Sequence, residues 1–409
     1  MFWKKERNIV VAAEIGSCKV AVAVSELRED GSLFLMAVGE APSGKVRKCE
    51  ITDFQTSQDC LKDALRDAEE KTDVAIQELY LALSGAHIRS VNTRVSTSID
   101  NEGDEVREFD IEVLRQKAQD YAAPAEAVLL HDLLRHYYLD DGSTVPNPVG
   151  ISSKKVFADY HLVYGMATRL QTTLRCVKDL SIDVPGYALS SYATAQSVLT
   201  HAQKQVGSIV INCGGGVTDY IAYERGAVVH TGVLGVGGEH LTSDLSIGLK
   251  ISFAKAEELK RKEGSVYFDP SLENEIAIRD LNFSDRHIYR ESMVTILGAR
   301  QEEMFKIILE ELSEQAFWSE FSGTIYLTGG ASQMRGLLDL AREIFSHPVE
   351  MAKQKPMEGD QSYLNRPDLA TVFGLLQYAR SDQMYNPPVR GWNRMQQSFR
   401  KVLSVLKLL

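Results

Sequence analysis

The chain has 409 residues, 44% hydrophobic and 25% charged, and a formal net charge of −11. That much apolar material builds two domains with separate cores and excludes a disordered chain. The acidic balance excludes a general nucleic-acid binder, whose surface needs a basic excess to displace counterions from phosphates.

Five cysteines (Cys18, Cys49, Cys60, Cys176, Cys213) are odd in number and never in a CxxC spacing. Neither a disulfide framework nor a zinc site is expected, and a reducing compartment fits. Cys18 and Cys213 lie in two glycine loops, where they either face each other across a cleft or are simply buried thiols. Met1-Phe-Trp-Lys-Lys leads into no apolar leader segment, and nothing approaches 18 consecutive apolar residues. Neither a signal peptide nor a bilayer-spanning helix is therefore expected. Trp3 reads as a cap on the core beside the first strand, or as a lipid contact.

In chain order, Ile9-Val-Val-Ala-Ala-Glu14-Ile-Gly-Ser-Cys-Lys-Val20 is an apolar strand, a polar residue, a tight glycine turn and a second strand. A third strand runs from Leu33 to Gly39. Residues Ser57 to Lys71 carry Cys60, Leu61, Ala64, Leu65 and Ala68 at helical spacing, and Glu78 to Leu83 reads as a buried strand. From Val91 to Val163 the texture changes to alternating strands, an acidic loop (Asp100 to Asp110), one helix (about Asp110 to Tyr121) and the turn-rich Asp140 to Gly150. This is read as an inserted subdomain. Helical pattern resumes over Met166 to Asp179 and Ser191 to Ala202.

The second domain starts at Gly207 and repeats the first. Ser208-Ile-Val-Ile-Asn-Cys-Gly-Gly-Gly-Val-Thr-Asp219 is again strand, polar residue and glycine turn, followed by a strand over Ala227 to Leu234. Consecutive glycines let backbone N–H groups approach an anion with no side chain in the way, and Thr218 adds a hydroxyl. Either turn alone is an ordinary hairpin. Two matching strand-turn-strand-strand units imply a duplicated domain offering two loops to one ligand. About Glu239 to Thr295 reads as a polar, helix-rich insertion, followed by a long helix to about Gln315. Thr324-Ile-Tyr-Leu-Thr-Gly-Gly-Ala-Ser332 is a buried strand ending in Gly329 and Gly330, with a helix expected from about Gln333. A helix over Asp368 to Arg380 returns to the first domain, and 381–391, with Pro387-Pro388, is a tether.

The final stretch differs in sign from the body. Trp392, Met395, Phe399, Leu403 or Val402, Leu406 and Leu409 recur every three or four residues, giving an apolar stripe on a helix roughly 27 Å long. Arg390, Arg394, Arg400, Lys401 and Lys407 are its charges, with no acid, and removing those five from −11 leaves −16 for residues 1–389. A basic amphipathic helix with an aromatic at its head favours the interface of an anionic membrane over docking on protein. Each partly buried apolar side chain adds about 0.5 to 1 kcal/mol, so binding is expected to be reversible.

The three glycine loops resemble the two phosphate motifs and the adenosine motif of the superfamily of actin, sugar kinases and heat-shock chaperones. With the rest of the chain they resemble the FtsA family, actin-like bacterial division proteins that tie the FtsZ ring to the inner face of the cytoplasmic membrane. The likeness rests on Leu81-Ala-Leu-Ser-Gly-Ala-His-Ile88, Asn147-Pro-Val-Gly150, Leu234-Gly-Val-Gly-Gly-Glu-His-Leu-Thr-Ser-Asp-Leu245, Ala256-Glu-Glu-Leu-Lys-Arg-Lys-Glu-Gly264, Leu327-Thr-Gly-Gly-Ala-Ser-Gln-Met334 and the amphipathic tail.

The resemblance implies an α/β, actin-like (ribonuclease H-like) duplicated ATPase fold with an inserted subdomain. Its parts are 1–84, 165–206 and 361–380 in the first domain, 85–164 in the insertion, 207–238 and 296–360 in the second domain, and 239–295 in an outer subdomain. It implies ATP held by Gly16, Ser17, Cys18, Lys19, Gly214, Gly215, Gly216, Thr218, Gly237, Gly238, Glu257, Lys260, Gly329, Gly330 and Met334. It further implies self-association into filaments, the FtsZ C-terminal peptide docking on the outer subdomain with Arg300 a candidate contact, and a membrane contact through Trp392, Arg394, Met395, Phe399, Arg400, Lys401, Leu403, Leu406 and Lys407. The chain departs from the superfamily at the catalytic positions. Glu14 and Asn212 stand where aspartates hold Mg²⁺ and water, Gln196 is the nearest amide, and Glu14 is left as an indirect metal contact. Nucleotide binding with slow or absent hydrolysis is the expectation. The alternatives are a pilus-assembly actin homologue of the PilM kind, against which the tail argues, and a small-molecule kinase, against which Asn212 argues.

Overall fold

The computed structural model describes residues 7–121, 126–280 and 283–385. Trp3, the 386–391 part of the tether and the whole 392–409 stretch lie outside the described residues.

Two sheets of the same topology organise the chain. In the first lobe, β1 (Ile9–Ile15), β2 (Lys19–Leu27) and β3 (Leu33–Pro42) form an antiparallel meander, with a short hairpin of β4 (Val46–Arg47) and β5 (Glu50–Ile51) after it. Helix α1 (Phe54–Thr72), capped by the Asp53 side chain, leads to β6 (Tyr80–Leu83), which pairs parallel to β1. The inserted subdomain follows as β7 (Arg89–Ser98), α2 (Glu108–Gln119), β8 (Ala127–Tyr138), β9 (Thr144–Val145) and β10 (Lys155–Met166). Its sheet has the order β7-β10-β8-β9 and is covered on one face by α2 around Leu114, Tyr160 and Leu162. The chain then re-enters the first lobe through α3 (Ala167–Lys178), β11 (Tyr187–Leu189) and α4 (Ser190–Val198), and crosses over on α5 (His201–Val206).

The second lobe repeats the meander with β12 (Ser208–Cys213), β13 (Thr218–Glu224) and β14 (Ala227–Leu234). An outer subdomain is built from α6 (Gly238–Leu249), α7 (Phe253–Glu263), the hairpin β15 (Glu275–Asp280) and β16 (Phe283–Tyr289), and the start of α8 (Arg290–Ser313), around Leu241, Leu245, Leu259, Met293 and Leu297. The hairpin is absent from the sequence reading, which sees only helices and polar loop there. Strand β17 (Thr324–Thr328) pairs parallel to β12, followed by α9 (Leu337–Phe345) and β18 (Val349–Met351). The expected helix at Gln333 begins four residues later. Gly330–Gln333 is a 3-10 turn, Met334 is extended and Gly336 is left-handed at φ +78°, so the α-helix starts only after that glycine.

Crossing back, β19 (Glu358–Gly359) adds to the edge of the first sheet, then α10 (Gln361–Leu364) and α11 (Ala370–Tyr385) complete the lobe. The orders β11-β6-β1-β2-β3-β19 and β14-β13-β12-β17-β18 are the same plan apart from the edge strand β19. Period-two alternation assigns the faces. Val11, Ala13 and Ile15 point to α1 and α3, while Val10 and Ala12 point to α11. Helix α11 lies so close to α4 that a Cβ on Gly374 would overlap the Ala193 carbonyl, so only glycine fits. That contact lowers the N-terminal turn of α11 onto the ends of both central strands.

Candidate functional site

The parity of the strands decides what reaches the floor of the cleft. Glu14 follows Val10 and Ala12, and Asn212 follows Val210, so both side chains leave their sheets on the face turned to α4 and α11. Thr371, in the first turn of α11, sits between them. It faces Glu14, whose charged form it favours, accepts from Asn212 Nδ2 at 3.4 Å and meets Thr194 Oγ1 at 3.1 Å. Asn212 pairs in register with Asp219 on β13, so the second lobe does place an acid here, one strand away. Ser84 of the first lobe donates to Asp219 Oδ1 at 2.5 Å, a bond between the lobes.

Burial dominates the electrostatics of this floor. Desolvation pushes the Glu14 carboxyl up to about 7, against Lys19 and with Asp219 adding to it. Desolvation likewise pushes Asp219 up to about 7, with the Ser84 bond opposing. Near neutral pH these two acids therefore hold protons part of the time, and their charge is weaker than two carboxylates imply.

Above the floor the two glycine turns close in the same way: Gly16 N donates to Lys19 O and Gly214 N to Val217 O, both at 3.0 Å. They press on one another. A Cβ on Gly215 would overlap Cys18 Sγ and one on Gly216 would overlap Ser17 Oγ. The turns are glycine because the loops touch, and a phosphate enters between them only if the lobes part. The N-terminus of α6 braces the second turn, with Gly238 N donating to Gly214 O at 3.0 Å and Glu239 N to Gly215 O at 2.8 Å. From α7, Lys260 Nζ reaches the Gly238 carbonyl (2.8 Å), Thr242 Oγ1 (2.7 Å) and Glu257 Oε2 (2.6 Å). Gly329, left-handed at φ +89°, backs onto Asn212 and the Cys213 carbonyl, and Met334 packs at the seam of the second-lobe and outer-subdomain cores.

Several expected site residues are engaged elsewhere. Thr218 is fully buried and donates to the Val236 carbonyl at 2.9 Å, so its hydroxyl fastens the hairpin and does not line the cleft. Lys19 is held by Glu40 (2.8 Å) and Asp368 (2.5 Å), and Arg366 bridges the same two acids. Against desolvation, Arg366 and Lys19 hold Asp368 down to about 2, so this network stays ionised and keeps Lys19 from the loop. Cys18 does not face Cys213: it lies against Gly215 and Glu239, while Cys213 is buried in the second core. Gln196 accepts from Lys204, remote from the floor. Arg300 is fastened to Asp244, Nε to Oδ2 at 2.6 Å, and to Glu303. No group of three or more His, Cys, Asp or Glu side chains is placed to hold a metal ion among the described residues.

The sequence reading misses Asp219, Thr371, Ser84 and Asp368. The signal for Asp219 is the hairpin itself, because a four-residue turn between Cys213 and Thr218 sets 212 opposite 219. For Thr371 no local signal exists.

Two family models match the chain, that of "Cell division protein FtsA" over residues 209–374 and that of an "SHS2 domain inserted in FTSA" over 85–164. The chain is 29% identical over 379 residues to cell division protein FtsA of Pseudomonas aeruginosa, covering 92% of this chain and 90% of that one. It is 29% identical over 392 residues to FtsA of Escherichia coli K12, covering 93% and 92%, and 26% identical over 374 residues to that of Bacillus subtilis, covering 91% and 83%. Among solved structures, the PilM–PilN type IV pilus biogenesis complex aligns with TM-score 0.62 and 15% identity over 91% of this chain and 98% of that one. MreB5 of Spiroplasma citri bound to ADP aligns with TM-score 0.53 and 13% identity over 93% and 99%. At those identities the structural likeness establishes the actin-like fold.

Proposed function

The chain belongs to the FtsA family of cell division proteins, and from that premise we propose that it binds ATP between its lobes, assembles into filaments on the cytoplasmic face of the membrane, and tethers FtsZ there. The observation that carries the reading is the pairing of two facing glycine turns, Gly16–Cys18 and Gly214–Gly216, with an acid-free cationic stretch at 390–409 in a chain otherwise at −16.

The residues present fit a nucleotide. Backbone amides of the two turns suit its phosphates. Glu257 and Lys260 stand where the ribose and base would lie, Gly329, Gly330 and Met334 line the adenine side, and Gly237 and Gly238 open α6 beside them. Bound ATP with Mg²⁺ would supply the phosphate charge and the β–γ phosphoanhydride bond that hydrolysis would break. The chain's own part is to grip: Gly215 and Gly216 admit the phosphates when the lobes separate, and Ser17 and Cys18 face them from the other side. Glu14, shifted to about 7, Asp219, likewise at about 7, and neutral Asn212 offer little fixed negative charge for a cation. Turnover is accordingly slow or absent.

On the membrane side, Trp392, Met395, Phe399, Leu403 and Leu406 lie at helical spacing with Arg394, Arg400, Lys401 and Lys407 between them. Weak single-copy binding multiplies when copies join a filament. The test is recruitment of FtsZ to phosphatidylglycerol vesicles by flotation. Vesicles should carry FtsZ only when the full chain is present, and not with the chain shortened by residues 392–409. FtsZ floating equally well without that stretch would refute the tether.

A further inference from the structure

A second group of cations sits at the hinge, outside the nucleotide site. Lys204 lies on α5, where the chain first crosses between lobes, and Lys355 lies on the return crossing between β18 and β19. Both reach one residue of α4: Lys204 Nζ donates to Gln196 Oε1 and Lys355 Nζ to the Gln196 carbonyl, each at 2.8 Å. Lys204 also lies over the Tyr223 ring, 4.8 Å from its centroid. Arg380 of α11 adds a third charge beside Lys355, its Nη1 donating to Gln377 Oε1 at 3.3 Å.

Most partly buried cations have an acid beside them: Lys19, Lys260, Arg290 and Arg300 each meet a carboxylate, and outside this cluster Arg135 of the inserted subdomain is the exception among the described residues. Lys204, Lys355 and Arg380 are half-buried and make no ion pair among the described residues. Burial first, and Lys355 second, pull the Lys204 ammonium down to about 8, and burial with Arg380 lowers Lys355. Gathering like charges at a half-dry hinge is costly unless an anion joins them.

We propose that this hinge cluster takes a phosphoryl anion, and that the anion is the headgroup of an acidic phospholipid. The choice of source rests on the membrane reading above and on chain continuity. Helix α11 continues past Arg380 to Tyr385, and residues 386–389 alone separate it from the acid-free stretch that begins at Arg390. The five steps from Tyr385 to Arg390 span at most about 18 Å. Whatever surface the cationic stretch occupies, the hinge face is held near it, and Arg380 with two lysines offers the donors that phosphate oxygens accept. Since one lysine comes from each crossing, a bound headgroup ties the two lobes together from behind.

The test uses the full chain and vesicles of phosphatidylglycerol or phosphatidylcholine. The double variant K204Q/K355Q should partition roughly 10- to 30-fold more weakly onto phosphatidylglycerol, with no change on phosphatidylcholine, and K204R/K355R should restore binding. In the wild type, acylation of Lys204 near pH 8 should be suppressed by phosphatidylglycerol vesicles and not by millimolar inorganic phosphate. Undiminished binding by K204Q/K355Q overturns the hinge site and leaves the tail tether standing. Equal protection by free phosphate overturns the lipid source. Wild type that ignores phosphatidylglycerol altogether overturns both this inference and the membrane reading, and the acylation measurement on the wild type stands even if a variant fails to fold.

Discussion

The two repeats of the chain share a topology and differ in where they keep their acid. In the first, Glu14 ends the central strand and Ala21 lies opposite it on β2. In the second, Asn212 ends the central strand and Asp219 lies opposite on β13. The cleft floor therefore still receives one carboxyl from each lobe, but from non-equivalent positions, and one helix turn at Thr371 reaches both strand ends. The two lobes share a scaffold and carry their floor acids one strand apart. Asn212 alone suggests a lobe without an acid at the floor; Asp219 beside it supplies one from the neighbouring strand.

If the lobes are equivalent as scaffolds, matched core truncations should cost the same. Leu81→Ala on β6 and Leu327→Ala on β17 remove fully buried side chains from the strand parallel to each central strand. Each should lose about 2–5 kcal/mol in chemical denaturation. A cost confined to one lobe would break the equivalence.

The acids should respond next. Folded-state values near 7 lie above the ordinary 4.5 of Glu14 and 3.8 of Asp219, so the folded chain binds the extra protons. Their contribution is favourable at low pH and is lost as pH rises from about 4 through about 7. Asp219→Asn should therefore be more stable than wild type at pH 8, by about 1–3 kcal/mol, and converge with it near pH 4. Urea titrations across that range measure the difference, and a constant offset would show that Asp219 is ordinary. Ala21→Asp, which would place an acid opposite Glu14 as Asp219 lies opposite Asn212, sharpens the comparison further: a third acid on the floor should steepen the loss above pH 7.

The smallest effect belongs to the seam between the inserted subdomain and the second lobe. His161 bridges Asn92 Oδ1 (2.7 Å) and Thr231 Oγ1 (2.9 Å) there, while His131, at the seam with the first lobe, accepts from Leu189 N at 2.9 Å. Burial holds His161 down to about 3 and His131 to about 4, below the ordinary 6.5. Neutral imidazoles stabilise above pH 6.5, and that contribution is lost as pH falls toward 4, opposite in sign to the acids. His161→Gln should flatten the acid limb of the stability curve, with about 1 kcal/mol at pH 5 separating it from wild type. An unchanged limb would remove His161 from the account.

Much of the scaffold was legible in the residues. Period-two apolar runs and repeated glycine turns marked both meanders, and the helical spacing of Leu61, Ala64, Leu65 and Ala68 marked α1. The outer hairpin was not, because five of the thirteen residues of β15 and β16 are charged, and among the described side chains Ile276, Ile278 and Ile288 pack inward. In the site, the glycine positions were readable because close backbone approach leaves a compositional trace. Thr371 was not, since it arrives from a helix 159 residues away from Asn212. Lys19 was legible as a charge near the loop, but Glu40 and Asp368, which decide what it does, are brought by folding.

The claim on which the rest depends is that the two glycine turns part to clasp a nucleotide. Calorimetric titration of the full chain with ATP and Mg²⁺ tests it directly, alongside Gly215→Val, whose side chain would overlap Cys18 across the cleft. The account predicts saturable binding by the wild type and loss of binding in the variant. No heat of binding in the wild type, or unchanged affinity in Gly215→Val, would contradict it.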